Sequence, residues 1–346
     1  MLGMSRGDRF GTHRVLEPRG TLPQAAWRLD NDLTRMFESE LLLEVEALNI
    51  DSASFRQMEE ANPGTEGVAQ QILETVAQRG KQHNPVTGSG GMLVGRVVQI
   101  GSEAEPAATG IGVGDRVATL VSLTLTPLRI ERVRSVHLRT HQVEIDGQAI
   151  VFASGALAKM PSTLGEKVAL AALDVAGAAP QVARLIKPGD AVLVLGCGGK
   201  SGLLASLAAR RSGAGVVIGI ERDAVAAAPA QRLGAAHEVL IADATRGVEV
   251  AERAVAAAGR EFDLTISCVN VPDAEMGAIL ATRDGGTIYF FSMATSFTRA
   301  ALGAEGVSRD VTMIVGNGYC PGHAAATLKL LEEEPVLRKL FEERFG

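Results

Sequence analysis

Thirteen residues, Asp190-Ala-Val-Leu-Val-Leu-Gly-Cys-Gly-Gly-Lys-Ser-Gly202, narrow the choice of fold more than any other stretch of the chain. Val192 to Leu195 is a short apolar run that reads as a buried strand. A glycine-dense turn follows, and Leu203 to Arg211 has the composition of a helix. Strand, glycine turn and helix open a dinucleotide-binding βαβ unit, in which turn backbone lies against a diphosphate and the helix N-terminus offers it N–H groups. The spacing departs from the usual fingerprint. Gly196-x-Gly198-x-x-Ser201 lacks the third glycine, whereas Gly196, Gly198, Gly199 and Gly202 fill the same roles in a turn one residue longer. The next apolar run, Val216-Val-Ile-Gly-Ile220, ends in Glu221, nineteen residues past Gly202, where an acidic side chain binds the adenosine ribose hydroxyls. The competing reading is a turn whose glycines only ease helix–strand packing. Gly199-Lys200-Ser201 invites a P-loop reading, but that motif needs a glycine where Val194 stands.

The rest of the chain divides by periodicity. Residues 1–35 form an irregular arm with Trp27 as its packing anchor. Glu40 to Ile50 alternates as a half-buried strand, and Asp51 opens a capped helix. Thr65 to Arg79 sets Val68, Ile72 and Val76 on one helix face, with Gly80 as the stop. The loop Asn84-Pro-Val-Thr-Gly-Ser-Gly-Gly91 leads into a strand, Met92 to Ile100. It either brings backbone close to a ligand or makes a tight bend. Gly114-Asp-Arg-Val117 is a turn entering a strand, and Val133 to Phe152 reads as two alternating stretches split by a hairpin turn at Asp146-Gly147. Beyond Gly165 the pattern changes. Val168 to Ile186 reads as one helix, closed by Lys187-Pro-Gly-Asp190. Strands at 192–195, 216–220, 238–242, 264–269, 287–291 and 311–315 then alternate with helices, the order of a parallel, doubly wound sheet of about six strands. Pro229 should delay or kink the helix after the second strand. Helices with Leu328, Leu331, Leu337, Leu340 and Phe341 close the chain.

Lys187-Pro-Gly-Asp-Ala-Val-Leu-Val-Leu-Gly196, with Gly114-Asp-Arg-Val117 before it, resembles the medium-chain dehydrogenase/reductase superfamily over most of the chain. The resemblance implies an α/β fold with a strand-rich, GroES-like catalytic domain, residues 1–166 with 319–346, and a Rossmann domain, 167–318. Asn84-Pro-Val-Thr-Gly-Ser-Gly-Gly-Met92, the Gly-Gly-Lys-Ser-Gly turn and Gly316-Asn-Gly-Tyr319 are similar to the L-erythro-3,5-diaminohexanoate dehydrogenase family. That family oxidatively deaminates 3,5-diaminohexanoate to 5-amino-3-oxohexanoate with NAD in lysine fermentation.

Catalytic zinc, common in the superfamily, needs an early cysteine and a downstream histidine. No cysteine precedes Cys197 and Gly-His-Glu does not occur. His137 and His141, on what reads as a strand, would sit roughly 13 Å apart, so no metal is expected. Without metal, deamination needs a neutral amine, a nicotinamide close to the reacting carbon and a base that activates water. The candidates for catalysis are Asp51, Glu59, His83 and Tyr319, each with a plain alternative: Asp51 as a helix cap, Glu59 as a solvated acid. Arg56 and Arg129 are candidates for the substrate carboxylate, the alternative being ion pairs, and Asp51 or Glu59 for its second ammonium. Asn84, Thr87 and Ser89 of the loop are further substrate candidates. On the cofactor side stand Gly196, Gly198, Gly199, Lys200, Ser201, Gly202, Glu221, Arg222, Asp243, Asn270 and Ser292. Glu221 favours NAD over NADP, which Arg222 softens.

A net charge of −6 with no basic block argues against nucleic acid as a partner. The absence of an apolar leader or a spanning apolar run argues for a cytoplasmic protein away from membranes. Three scattered cysteines suit a reducing compartment. A homodimer is expected through the 311–315 strand, which could equally be a covered edge. The alternatives to an amino-acid dehydrogenase are a zinc-free quinone or enoyl reductase and a nicotinamide-binding protein without chemistry.

Overall fold

The computed structural model describes residues 6–346 except 86–87, 105–109, 293 and 317, and only the backbone of 52 and 53. The chain divides into two units, Met1–Pro161 and Ser162–Gly346.

In the first unit Val15–Glu17 (β1) and Arg28–Leu29 (β2) pair within the N-terminal arm. Glu40–Asn49 (β3) is followed by helices Ser52–Ala61 (α1) and Gly64–Arg79 (α2). Met92–Ile100 (β4), Arg116–Thr119 (β5), Leu128–His137 (β6), Gln142–Phe152 (β7) and Leu157–Lys159 (β8) complete an antiparallel sheet in the order β6-β7-β3-β4-β5-β8. Alternation along β3 buries Leu41, Leu43 and Val45, against which Val68, Ile72 and Val76 of α2 close the core. The Trp27 ring is half exposed, with the Arg79 guanidinium stacked 3.7 Å from its centre.

Two expectations fail here for one reason. The β6–β7 hairpin turns at 138–141, where His141 takes φ 56, and not at Asp146-Gly147, which lies inside β7. Gly147 is required by close approach, because a Cβ there would stand 2.4 Å from the Arg129 carbonyl oxygen of the neighbouring strand. His137 and His141 therefore flank a turn and do not share a strand, so the strand-length argument against their sharing a metal does not apply. His137 bonds Glu144 and His141 stacks on Phe55, and among the described residues no group of three His, Cys, Asp or Glu could hold an ion.

The second unit opens with Glu166–Leu173 (α3) and Ala178–Leu185 (α4), two helices bent by 44° where one was expected. The break lets Gly177 touch the backbone of Gly318, an approach that a Cβ would close to 2.2 Å. Ala191–Leu195 (β9), Lys200–Arg211 (α5), Val216–Glu221 (β10), Ala224–Leu233 (α6), Glu238–Ile241 (β11), Gly247–Ala258 (α7), Phe262–Ser267 (β12), Glu275–Ala281 (α8), Thr282–Phe290 (β13), Phe297–Gly306 (α9) and Val311–Val315 (β14) then alternate. The sheet is parallel throughout, in the order β11-β10-β9-β12-β13-β14. Central β9 is buried along its whole length, which is why its sequence is an unbroken apolar run. α6 starts at once behind its Asp223 cap and runs through Pro229.

His323–Glu333 (α10) and Pro335–Phe345 (α11) pack on α3, α4 and α6 of this same unit. The sequence reading carried 319–346 into the first domain. Here Thr327 Oγ1 donates to the Ala176 carbonyl at 2.7 Å, Arg338 donates to that of Thr163 at 2.8 Å, and Leu331, Leu337 and Phe341 are buried. No single described helix is long and apolar enough to cross a membrane; α3 and α4 reach that length and composition only together, across their 44° bend.

Candidate active site

In a doubly wound sheet, neighbouring loops diverge where the strand order reverses, opening a crevice at the carboxyl ends of the strands. The reversal here is at β9. A cavity of about 530 Å³ lies there, walled by Gly196 and Gly199 after β9, Glu221 and Arg222 after β10, Asp243 to Thr245 after β11, and Cys268 to Val271 after β12.

Each glycine of the turn has its own steric reason. Gly196 takes φ 77. A Cβ on Gly198 would stand 1.9 Å from the Ala226 carbonyl oxygen, and one on Gly202 would stand 2.1 Å from that of Gly196. Gly202 thus performs the close helix–strand packing of the displaced third glycine. Gly199 differs: a Cβ there would meet nothing nearer than 3.8 Å, so its open side faces the cavity.

The walls are acidic where an adenosine ribose would lie. Glu221 Oε1 accepts from the Gly198 N–H at 2.9 Å, tying the end of β10 to the turn. Arg222 pairs with Asp223 at 2.9 Å, which occupies the cation proposed as a phosphate partner. Asp243 Oδ1 accepts from the Thr245 N–H and hydroxyl, bonds that hold its carboxyl below the ordinary range. Asn270 lines the cavity, but Ser292 does not; its Oγ accepts from the Ala294 N–H. Lys200 and Ser201, expected as extra donors, are engaged elsewhere. Lys200 pairs with Asp174 at 2.5 Å, and Ser201 shares a hydrogen bond with Cys268. Burial pushes the Cys268 thiol up to about 12, leaving it protonated at the cavity wall. Ala244 and Thr245 were not singled out in the sequence, although their place just past the third strand was the available signal.

The first unit gathers a second group. Asp51 caps α1, its Oδ1 accepting from the Ser54 N–H at 2.9 Å, while its Oδ2 is buried with no hydrogen-bond partner. Arg56 and Glu59, one and two turns along α1, and Asp51 itself each act electrostatically on His141 at the β6–β7 turn. Burial, reinforced by Arg56, lowers the His141 pKa against the opposing carboxylates. Asn84 is buried and donates to Gln57 Oε1 at 2.9 Å, which fastens the 84–91 loop to the same helix. Gly90 and Gly91 of that loop press on the protein's own backbone, at 2.5 and 2.2 Å for an added Cβ, so the tight-bend reading accounts for them. Ser89 accepts from the Asn84 N–H at 2.8 Å, and Thr87 lies outside the described residues.

His83 is half buried, and its Nδ1 has no partner. Burial, with Lys81 and Arg79 nearby, lowers its pKa to about 4, so the ring is neutral and a weak base near neutral pH. Arg129 pairs in register with Gln148 and Glu44 is that residue's other neighbour, several residues along the sheet from the Asn49 end that carries Asp51. The structure does not bring Arg129 to the Asp51 group. Tyr319 belongs to the second unit, half exposed, its ring edge-on to His323 at 5.0 Å.

Comparison with known proteins adds a family. Residues 13–161 match the family model described as the L-erythro-3,5-diaminohexanoate dehydrogenase N-terminal domain. Two curated relatives named L-erythro-3,5-diaminohexanoate dehydrogenase, from Acetoanaerobium sticklandii and Fusobacterium nucleatum subsp. nucleatum, are each 51% identical over 344 residues, 98% of this chain and 99% of theirs. Among solved structures, a mycobacterial protein complexed with NADPH superposes with a TM-score of 0.54 at 19% identity, covering 89% of each chain, a likeness of fold.

Proposed function

This chain belongs to the L-erythro-3,5-diaminohexanoate dehydrogenase family, and we propose that it converts (3S,5S)-3,5-diaminohexanoate to 5-amino-3-oxohexanoate, releasing ammonia, as a step of lysine fermentation. It is an oxidoreductase acting on a CH–NH2 group. The observation that carries the proposal is identity of 51% across nearly the whole of both chains. The test is direct: purified protein given 3,5-diaminohexanoate and NAD should form NADH and ammonia in equal amounts, and a chain that reduces quinones or enoyl thioesters instead would refute it.

The β9 cavity fits a nicotinamide dinucleotide. It has an open-sided glycine at a helix N-terminus for the diphosphate and a carboxylate at the end of β10 for the ribose. A nicotinamide held there would supply the acceptor for the hydride of the substrate carbon. The chain's own groups must do the rest: take a proton from the substrate ammonium so that the nitrogen lone pair can drive hydride loss, then activate the water that attacks the resulting iminium. Asp51 is the group we favour, because its Oδ2 is buried and unpartnered while Oδ1 is spent on the cap. Asp51→Asn preserves a good cap, since both residues cap helices equally well, and so isolates the second oxygen. Stability should stay within about 0.5 kcal/mol, while kcat/KM for the diamino acid falls about 100-fold or more, the scale of one lost general base. Unchanged steady-state kinetics would remove Asp51 from the reaction.

We further propose NAD as the preferred form. Glu221 and Asp243 face the ribose end of the cavity, and Arg222 is engaged by Asp223. A 2′-phosphate would enter beside carboxylates, so kcat/KM should favour NAD over NADP by about 100-fold. Glu221→Ser should lower that ratio at least tenfold. The ratio is the informative quantity, because loss of the bond to Gly198 weakens both cofactors together. A ratio near one in the unaltered enzyme would overturn the assignment. The proposed homodimer would pair β14, the half-exposed edge of the sheet, with its symmetry mate, and a monomeric mass by sedimentation would refute it.

A further inference from the structure

The cofactor turn has a contact from an unexpected direction. Arg344, in the last turn of α11, donates from Nη1 to the carbonyl oxygen of Gly198 at 2.7 Å. The same residue's N–H is bound to Glu221 Oε1 at 2.9 Å, so the Gly198 backbone is held at both polar groups. It is also jammed sterically, with the Ala226 carbonyl where a Cβ would go. The donor is itself supported. The Phe345 ring centre lies 5.2 Å from the Arg344 guanidinium, and α11 is fastened by a forked Arg232–Glu343 pair with one arm at 2.9 Å.

The geometry points to Arg344 as a positioning residue for the cofactor diphosphate. In a trans peptide the carbonyl of one residue and the N–H of the next point in opposite directions. Holding the Gly198 carbonyl on Arg344 therefore fixes the Gly199 N–H on the other side of the peptide plane. Gly199 is the N-cap of α5 and has its open side at the cavity. The flipped peptide would present a carbonyl oxygen to an anion where the N–H now stands. A glycine–glycine peptide is the pair of residues least able to prevent that flip by its own sterics, which gives an external clamp its purpose. The guanidinium also supplies a fixed positive charge on the far side of the turn.

This inference rests on the cofactor reading of the β9 cavity, and its test separates the two. Fluorescence titration of the unaltered enzyme with NADH comes first; an enzyme that binds neither NADH nor NADPH refutes the cofactor reading itself. Given binding, Arg344→Met should weaken NADH affinity and raise the KM for NAD by about tenfold, the effect of losing one charge-assisted bond. The kcat at saturating NAD and the KM for the diamino acid should not change, and Arg344→Lys should recover part of the loss. Arg232→Met loosens the same helix without touching the turn and should leave NADH affinity as it was. Unchanged affinity in Arg344→Met overturns the inference, as does an equal loss in Arg232→Met, or a fall in kcat with the KM for NAD unmoved. If Arg344→Met does not fold, Arg344→Gln replaces it, with the same outcomes read the same way.

Discussion

Gly202→Ala is expected to abolish cofactor binding, with NADH affinity falling by about 1000-fold or more, because the clash is with backbone on both sides. The added methyl would stand 2.1 Å from the Gly196 carbonyl oxygen and 2.6 Å from Cys197 Cα. Neither atom belongs to a side chain that can rotate away. Gly196 N–H is bonded to the Ile220 carbonyl at 2.9 Å, and Cys197 N–H to the same oxygen at 3.2 Å, so the turn is pinned to β10 and cannot retreat. Relief requires α5 to move off the sheet, and with it the N–H groups that would receive the diphosphate. Gly199→Ala is the matched control for the protein's own sterics. Its φ of −75 is open to any residue, and a Cβ meets nothing within 3.8 Å. That variant should fold with a loss below about 1 kcal/mol from the poorer N-cap. Any larger effect on NADH affinity must come from the ligand, which the new methyl would crowd. NADH titration together with thermal melts of both variants checks the pair. Retained affinity in Gly202→Ala would mean that the helix N-terminus is not where the dinucleotide binds.

The part of this site that could be read in the sequence is the part governed by local rules. β9 is buried on both faces, so its residues are apolar without alternation, and a turn of glycines after such a strand has few uses. Glu221 could be placed because a strand end and its distance from the turn both fall within one βαβ unit. Lys200 could not. Its position one residue into α5 suggested a diphosphate donor, yet Asp174, at the break between α3 and α4, takes the ammonium. That break did have a local signal, Gly177 and Pro180, which the reading of 168–186 as one helix passed over; Pro180 lies in the first turn of α4, where proline is tolerated. What the sequence could not show is what the break accommodates, the close approach of Gly177 to Gly318, residues far apart in the chain. Arg344 was beyond reach for a like reason: its role depends on where α11 docks, and the sequence reading sent the closing helices to the other domain.

The Asp51 group shows the same boundary. Its helix cap was legible as Asp-x-x-Ser before an amphipathic run, and the cap is found. Which residues share its neighbourhood was set by the β6–β7 turn. With the turn read at Asp146-Gly147, His141 sat mid-strand and served only as a failed metal ligand. With the turn at 138–141, the same residue lies on Phe55 beside Asp51 and Glu59. A shift of a few residues in a hairpin changes which side chains meet at its end, because register is a tertiary property.

The largest expected loss of stability comes from the N-terminal arm, where the sequence reading found only irregularity. Arg14 and Glu40 are both fully buried and make a forked pair, Nε to Oε1 at 2.7 Å and Nη2 to Oε2 at 2.8 Å. The remaining capacity is satisfied: Arg14 Nη1 donates to the Asp32 carbonyl at 2.8 Å, and Glu40 accepts from the Phe37 N–H at 3.0 Å and lies 2.8 Å from His13 Nε2. Burial alone would raise the Glu40 pKa, but the bonds from Arg14 and His13 outweigh it and hold the carboxyl below its ordinary value. Because the folded value lies below the unfolded one, this contribution is complete above the ordinary carboxylate pKa. It is lost as pH falls through the lower, folded value. Glu40→Gln keeps the shape, leaves the buried Arg14 charge with only Asp30, at 3.6 Å, as a carboxylate partner, and should cost about 3 kcal/mol. Replacing both partners, Arg14→Met with Glu40→Leu, removes the buried charge and should recover most of that loss, although the carbonyls of Asp32 and Arg35 then lack a donor. Calorimetric melts at neutral pH should therefore rank the single variant well below the double one. At a pH below the folded Glu40 value, the unaltered chain and Glu40→Gln should converge. If the single variant melted with the unaltered chain at neutral pH, the arm would be held by its apolar contacts and hydrogen bonds alone, and the buried pair would be idle.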